Sequence, residues 1–179
     1  RALGRSKHGN VGAPQPFYSC YAESKDGIDW ERPRNGLFPD NGGDNSIVFK
    51  GFSNSGGFVT IDPLAPPERR YILTNMEWFD EQSGGVILAY SADGLHFRYP
   101  TDPPQPVVFG HSDCSNSLVY NPFRRVWMVY MRGWHAAALN WPNGKVNCRR
   151  RVNYAESADL EHWSEPQTVL SPDELDTND

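Results

Sequence analysis

A seven-residue phrase returns along this chain at an almost constant interval. It reads Ser24-Lys25-Asp26-Gly27-Ile28-Asp29-Trp30, then Ser91-Ala92-Asp93-Gly94-Leu95-His96-Phe97, then Ser157-Ala158-Asp159-Leu160-Glu161-His162-Trp163. Successive serines stand 67 and 66 residues apart (91 − 24 and 157 − 91). A fixed period of this size means that one supersecondary unit is used repeatedly. The phrase itself has turn chemistry. An Asp can fold its carboxylate back onto nearby backbone N–H groups, and a following Gly tolerates positive φ.

Short strand-like runs at 17–22, 86–90 and 152–155 precede the three copies, and short apolar runs at 36–38, 106–109 and 168–170 follow them. The phrase therefore reads as a hairpin between two antiparallel strands, c and d. Two further strands are expected per unit: an a strand at 46–50 or 117–120, and a b strand at 70–74 or 126–131. A short additional strand at 58–61 fits within the Gly- and Pro-rich link 51–69. No segment has convincing helical periodicity. The expected fold is all-β, a β-propeller of four-stranded antiparallel blades, with a β-sandwich as the alternative. The chain reads as one partial domain over 1–179: a half blade at 1–40, blades at 41–110 and 111–172, and the start of another at 173–179. Propellers close with about four to eight blades. The expectation is thus a piece of a longer protein, or a subunit that closes its ring by homo-oligomerisation.

Composition narrows the partners. Net charge is −5 and the pI is near 5.5, with no basic stripe, which argues against nucleic acid. Mean hydropathy is −0.64 and the apolar runs have strand length, so no membrane partner is expected. Cys20, Cys114 and Cys148 are too few and too scattered for a disulfide framework or zinc knuckle. They do not fix the compartment. No metal-ligand pattern stands out, and no cofactor is expected. Arg149-Arg150-Arg151 is the one dense basic run, either a solvated strand end or a place where an arginine orients a carboxylate.

Strand parity separates the loops. The c-to-d phrases fall on one face of such blades, which makes Asp26, Asp93 and Asp159 structural. The d-to-a and b-to-c connections fall on the opposite face. Asp44 follows Trp30 by 14 residues and Asp113 follows Phe97 by 16, each shortly before an Asn (Asn45, Asn116) and an apolar strand. The tail repeats the pattern with Glu174 and Asp176. Carboxylates converging from successive blades suit glycoside hydrolysis, in which one stays ionised and one is held protonated. The b-to-c connections add Met76-Glu77-Trp78, Arg132-Gly133-Trp134-His135 and Trp141. Trp78 and Trp134 are candidate sugar platforms or loop-packing residues. His111 and His135 read as hydrogen-bonding loop residues near the site. The expected catalytic set is Asp44, Asp113, Glu174 and Asp176. The expected substrate-binding set is Asn45, Asn116, Trp78, Trp134, His135 and Arg132.

A resemblance follows from particular residues. Tyr21-Ala22-Glu23 leading into the first phrase and Glu31-Arg32-Pro33 after it, Asp44-Asn45, Pro66-Pro67-Glu68-Arg69-Arg70-Tyr71, and Glu156 through Trp163-Ser164-Glu165-Pro166 resemble the five-bladed propeller glycosidases of the β-fructosidase/arabinanase type, glycoside hydrolase families 32 and 43. The resemblance implies three acids at inner strands, acting as nucleophile or base, transition-state stabiliser and general acid. Asp44 would match the first and Asp113 the second, with Glu174 or Asp176 as candidates for the third. The relatives in question are bacterial, and five blades of this period need about 330 residues; the compartment is left open, with a secreted or periplasmic setting compatible with the resemblance. Ser112-Asp113-Cys114 stands where Arg-Asp-Pro is usual in fructosidases, and the Asn-Asp-Pro-Asn run is missing, which argues against fructan or sucrose as substrate. Calcium occurs in some related propellers, but no ligand set for it is visible here. The expected function is a glycoside hydrolase-like propeller acting on or binding a furanoside or related oligosaccharide. The alternatives are a non-catalytic carbohydrate-binding or scaffold fragment, and a sialidase-like enzyme. Against the last, Gly directly follows Asp in the phrase, and no arginine triad or tyrosine nucleophile is identifiable.

Overall fold

The structure is a computed structural model. It describes residues 18–39, 45–51, 55–78, 84–109, 116–134, 139–140, 146–147, 150–171 and 173. Twelve strands occur among them: β1 (Ser19–Cys20), β2 (Ile47–Phe49), β3 (Ser55–Ile61), β4 (Tyr71–Trp78), β5 (Gly84–Ser91), β6 (Val108–Phe109), β7 (Ser117–Asn121), β8 (Val126–Trp134), β9 (Leu139–Asn140), β10 (Val146–Asn147), β11 (Arg150–Ser157) and β12 (Gln167–Leu170). A 3-10 turn, Pro67–Arg69, precedes β4, and no α-helix is found among the described residues.

The protein is all-β. Two antiparallel sheets have four strands each, in the orders β3-β4-β5-β6 and β7-β8-β11-β12, and two have only two, β1-β2 and β9-β10. None closes into a barrel, and the arrangement is consistent with partial β-propeller blades. Neighbouring strands in each large sheet follow chain order, with β9 and β10 lying between β8 and its partner β11 in the sequence. β3 and β7 are the first strands of their sheets and run beside each other, tied by the Thr60 hydroxyl donating to the Leu118 carbonyl at 2.7 Å.

Period-2 alternation explains how the sheets stack. Ile72 on β4 and Val86 and Leu88 on β5 pack on Leu118, Trp127, Val129, Met131 and Ala155 of the next sheet. From the opposite face of the same strands, Leu73 and Ala89 pack on Phe49 of β2, with Phe97 and Tyr99 beside them. Both clusters are apolar surfaces removed from water between sheets, the dominant favourable term in folding.

All three phrases form the expected turn, with one geometry. In the second, Ser91 Oγ donates to Asp93 Oδ1 and accepts from the Gly94 N–H, while Asp93 Oδ1 accepts from the N–H groups of Leu95 and His96. Gly27 and Gly94 have φ of 78° and 77°, and Leu160 takes the same place at φ 67°. Leu160 is nevertheless buried in the inter-sheet core. Phe97 and Trp163 pack against neighbouring sheets as expected. Trp30 instead stays 62% exposed, its indole N–H bonded to the Gly27 carbonyl.

One strand assignment needs correction. The run 46–50 was expected to open the second unit as its a strand. It forms β2, which pairs with β1 (Ser19↔Phe49), as β6 pairs with β5 (Val86↔Val108). Ser19 and Val86 each lie five residues before a phrase serine, so β2 holds the d position. The a position belongs to β3, the run foreseen only as a short addition at 58–61. The run 36–38 forms no strand. Asn35 and Asn45 account for the change: Asn35 Nδ2 donates to the Ile47 carbonyl, and Asn45 Nδ2 to the Phe38 carbonyl. The two side chains stitch a loop that delays the d strand.

Candidate functional site

The phrase turns sit at one end of the strands, so everything at the other end shares one edge of each sheet. Trp78 pairs with Gly84, Gly85 with Phe109, and Trp134 with Arg150. The connections after β4, β6 and β8 therefore all leave from this second edge.

Near that edge lies a buried carboxylate. Glu77, next to last in β4, is 0% exposed. Its Oε1 accepts from Asn75 Nδ2 at 2.8 Å and from the Tyr99 hydroxyl at 3.0 Å. Leu73, Asn75 and Glu77 share one face of β4 by strand alternation, so the interface towards β2 grades from apolar to polar along its length. The backbone passes close over this acid at Gly51, where a Cβ would overlap Glu77 Oε1. Burial first, and then the Glu77 charge, push the Tyr99 phenol far above its usual range, so it stays a proton donor to the carboxylate. Asn75 Oδ1 and Thr74 Oγ1 are buried without a hydrogen-bond partner among the described residues. Buried polar atoms of this kind commonly hold internal water.

The expected site residues divide. Asp44, Asp113, Glu174, Asp176 and His135 lie outside the described residues, as do His111 and Trp141. Trp78 and Trp134 close β4 and β8 at the second edge. Arg132 stands on β8 opposite Val152 and is half-buried. Asn116, just before β7, is fully buried. Asn45 spends its side chain on local backbone, its Oδ1 accepting from the Ile47 N–H as its amide bonds Phe38. Since β2 holds the d position, the strand that follows Asp44 is an outer one, not the inner one expected for it. No group of three or more potential metal ligands occurs among the described residues, and no helix among them is long and apolar enough to cross a membrane.

Glu77, Asn75 and Tyr99 were not among the expected site residues. A signal existed in part. Leu73-x-Asn75-x-Glu77 continues a buried period-2 face, which marks the acid as inward-pointing. Tyr99 lies 22 residues from Glu77 and carries no local signal for that contact.

At the phrase edge the acids are locked into turns. Backbone N–H groups, foremost those of His96 and His162, hold the Asp93 and Asp159 carboxyls well below the usual range. Each also faces a histidine Nδ1, at 2.6 Å for His96 and 2.8 Å for His162.

No known protein family matches the chain, and no curated protein matches it. Among solved structures it is similar to an N-acetylgalactosamine deacetylase from F. plautii in complex with blood group B trisaccharide, at 19% identity and a TM-score of 0.46. The match covers 83% of this chain and 43% of that one, so the chain spans less than half the length of that structure.

Proposed function

We propose that this chain forms part of a glycoside hydrolase-like propeller that binds an oligosaccharide, a furanoside or a related sugar, at the edge opposite the phrase turns. One observation carries the reading: the strand ends that lead towards Asp113 and His135, those that bear Trp78 and Trp134, and the end of β12, where Leu170 pairs with Val152 ahead of Glu174, share that edge. Such a grouping has the parts a sugar site needs. Indole faces stack on the apolar faces of sugar rings, and carboxylates accept their hydroxyls. For cleavage, one carboxylate is held protonated to give its proton to the leaving oxygen while a second attacks or activates water. In this reading Asp113 is the ionised acid, and Glu174 or Asp176 supplies the proton. Arg132, half-buried on β8, orients the substrate, and the fully buried Asn116 supports the start of β7 from beneath. The non-catalytic alternative keeps the same platform without turnover.

The test uses a panel of aryl furanosides and oligosaccharides, with binding by calorimetry and cleavage by product release. Asp113→Asn is expected to abolish cleavage while leaving both Tm and binding nearly unchanged. Asp44→Asn is the discriminating variant, since its loss of cleavage would restore Asp44 to the reacting group. Binding without cleavage by the wild type would establish the non-catalytic form. A wild type that neither binds nor cleaves any member of the panel defeats the reading.

A further inference from the structure

Near the second edge, equivalent rows of the two large sheets carry opposite charges. Gly85 lies six residues before Ser91 and Arg151 six before Ser157, so the two are equivalent in the repeat. Gly85 pairs with Glu77, and Arg151 pairs with Gly133. Each row thus sets a charged side chain beside a glycine, an acid on β4 and a base on β11. The acid has its partners: the Asn75 amide and the Tyr99 hydroxyl both donate to it. The base, half-buried, lacks a counter-charge. Arg151 makes one hydrogen bond, from Nη1 to the Thr168 hydroxyl oxygen at 3.3 Å. Its Nε is buried without a partner, and no carboxylate among the described residues forms an ion pair with it. A guanidinium drawn part-way out of water costs free energy unless an anion pairs with it.

The neighbours of Arg151 add donors. Ala155, Asn153 and Arg151 share one face of β11 by strand alternation. The Thr168 hydroxyl donates to Asn153 Oδ1 at 2.9 Å, so towards Arg151 it serves as acceptor. With Oδ1 spent, Asn153 turns its Nδ2 over Gly133, where a Cβ would overlap it. The valences left over in this cluster are therefore N–H groups, those of the guanidinium and of the Asn153 amide. Packing does not require them: the equivalent of Asn153 one unit earlier is Ile87, which is fully buried. Glu156 offers no compensation, because it stands on the opposite face of β11 and pairs with Arg124.

We propose that Arg151, with Asn153 and Thr168, forms a carboxylate subsite, and that the sugar bound there is acidic, a uronate. A planar guanidinium presents paired N–H groups at the spacing of the two carboxylate oxygens, which a point charge does not. The Thr168 hydroxyl holds the fork, and the Asn153 amide supplies a neutral donor beside it. The inference rests on the oligosaccharide reading of this edge for what carries the carboxylate. The net charge of −5 does not forbid an acidic ligand. Exposed charges more than about 8 Å away are largely screened at physiological ionic strength, so the arginine at the site decides.

Two measurements separate this inference from the reading it extends. In calorimetry, digalacturonate is expected to bind about tenfold or more tightly than the neutral digalactoside, the scale of one charge-assisted hydrogen bond. Its methyl ester should bind like the neutral sugar. Arg151→Lys keeps the charge and loses the fork, and Thr168→Val, at an exposed side chain, releases it; each should shrink the preference. Equal affinities in the wild type, or a preference that both variants retain, overturn the acidic subsite and leave sugar binding at this edge standing. The second measurement needs no oligosaccharide. In isotope-labelled protein, the Arg151 Nε–H resonance should shift on titration with monomeric galacturonate and stay still with galactose. A resonance that galacturonate does not move overturns the proposal, whether or not an oligosaccharide binds. A shift of equal size with sulfate or inorganic phosphate overturns the uronate in favour of a general anion site. A shift with galacturonate in a protein that binds no oligosaccharide supports the subsite and defeats the wider reading.

Discussion

At the residue scale, the three phrases are natural controls for one another. Gly27 and Gly94 share a positive φ, but a Cβ at 27 would meet nothing within 4 Å, whereas one at 94 would stand 3.2 Å from Tyr71 Cδ1. Left-handed backbone costs a non-glycine residue about 1–2 kcal/mol. Gly27→Ala should lose about that much, and Gly94→Ala more, by equilibrium urea unfolding. Equal losses would mean that the Tyr71 ring yields freely. The third phrase tolerates Leu160 at that φ because its side chain is buried between sheets, which offsets the strain. His162 gives a titration test. The Asp159 hydrogen bond, then its charge, raise the His162 pKa above its ordinary 6.5. A raised folded value means that this pair's contribution is complete below pH 6.5 and is lost as pH rises through the folded pKa. The Asp159 carboxyl shifts the other way: its contribution is present above its ordinary 3.8 and is lost only as pH falls through a lower folded value. An NMR titration should place the His162 midpoint above 6.5, and Asp159→Asn should bring it back. A midpoint unmoved by that variant would dissolve the ion pair.

At the element scale, the contact between Gly51 and β4 decides how the two-stranded β1-β2 sheet meets its neighbour. The Glu77 carboxylate occupies the space that any side chain at 51 would need. Overpacking of this kind costs about 1–3 kcal/mol. Removing Glu77 instead strands the amide of Asn75 and the hydroxyl of Tyr99, at about 1–3 kcal/mol. Gly51→Ala and Glu77→Ala should each destabilise, while the double variant should lose about 1 kcal/mol less than the sum, because the second change makes room for the first. Additive losses in a double-mutant cycle would show that 51 and 77 do not compete for space. This element was only half legible. An acid in phase with Leu73 and Asn75 announces a buried side chain, but its crowding by Gly51 and its bond from Tyr99 arise from segments distant in sequence.

At the scale of the whole molecule, one apolar cluster spans both four-stranded sheets, so neither has a complete core alone. Leu118 is its most central member on β7, fully buried and covered by β3. Leu118→Ala should cost about 2–5 kcal/mol, and both sheets should still melt in one transition, followed by Trp127 fluorescence on one and amide exchange in β4–β5 on the other. Two separated transitions would make the sheets independent units. The repeat and the turn at each phrase were readable in the chain, because the turn rests on contacts two or three residues apart: Ser to Asp, and Asp to the N–H groups two and three residues on. Their spacing also announced four-stranded antiparallel units. Pairing across long loops was not readable. Ile47-Val48-Phe49 is an apolar run that suits either an inner or an outer strand, and only its registry against β1, closed by Asn35 and Asn45, made it outer. Local hydrogen bonds are written in neighbouring residues, whereas the choice between strand partners depends on which distant surface each apolar face can bury, and that is settled only when the sheets pack.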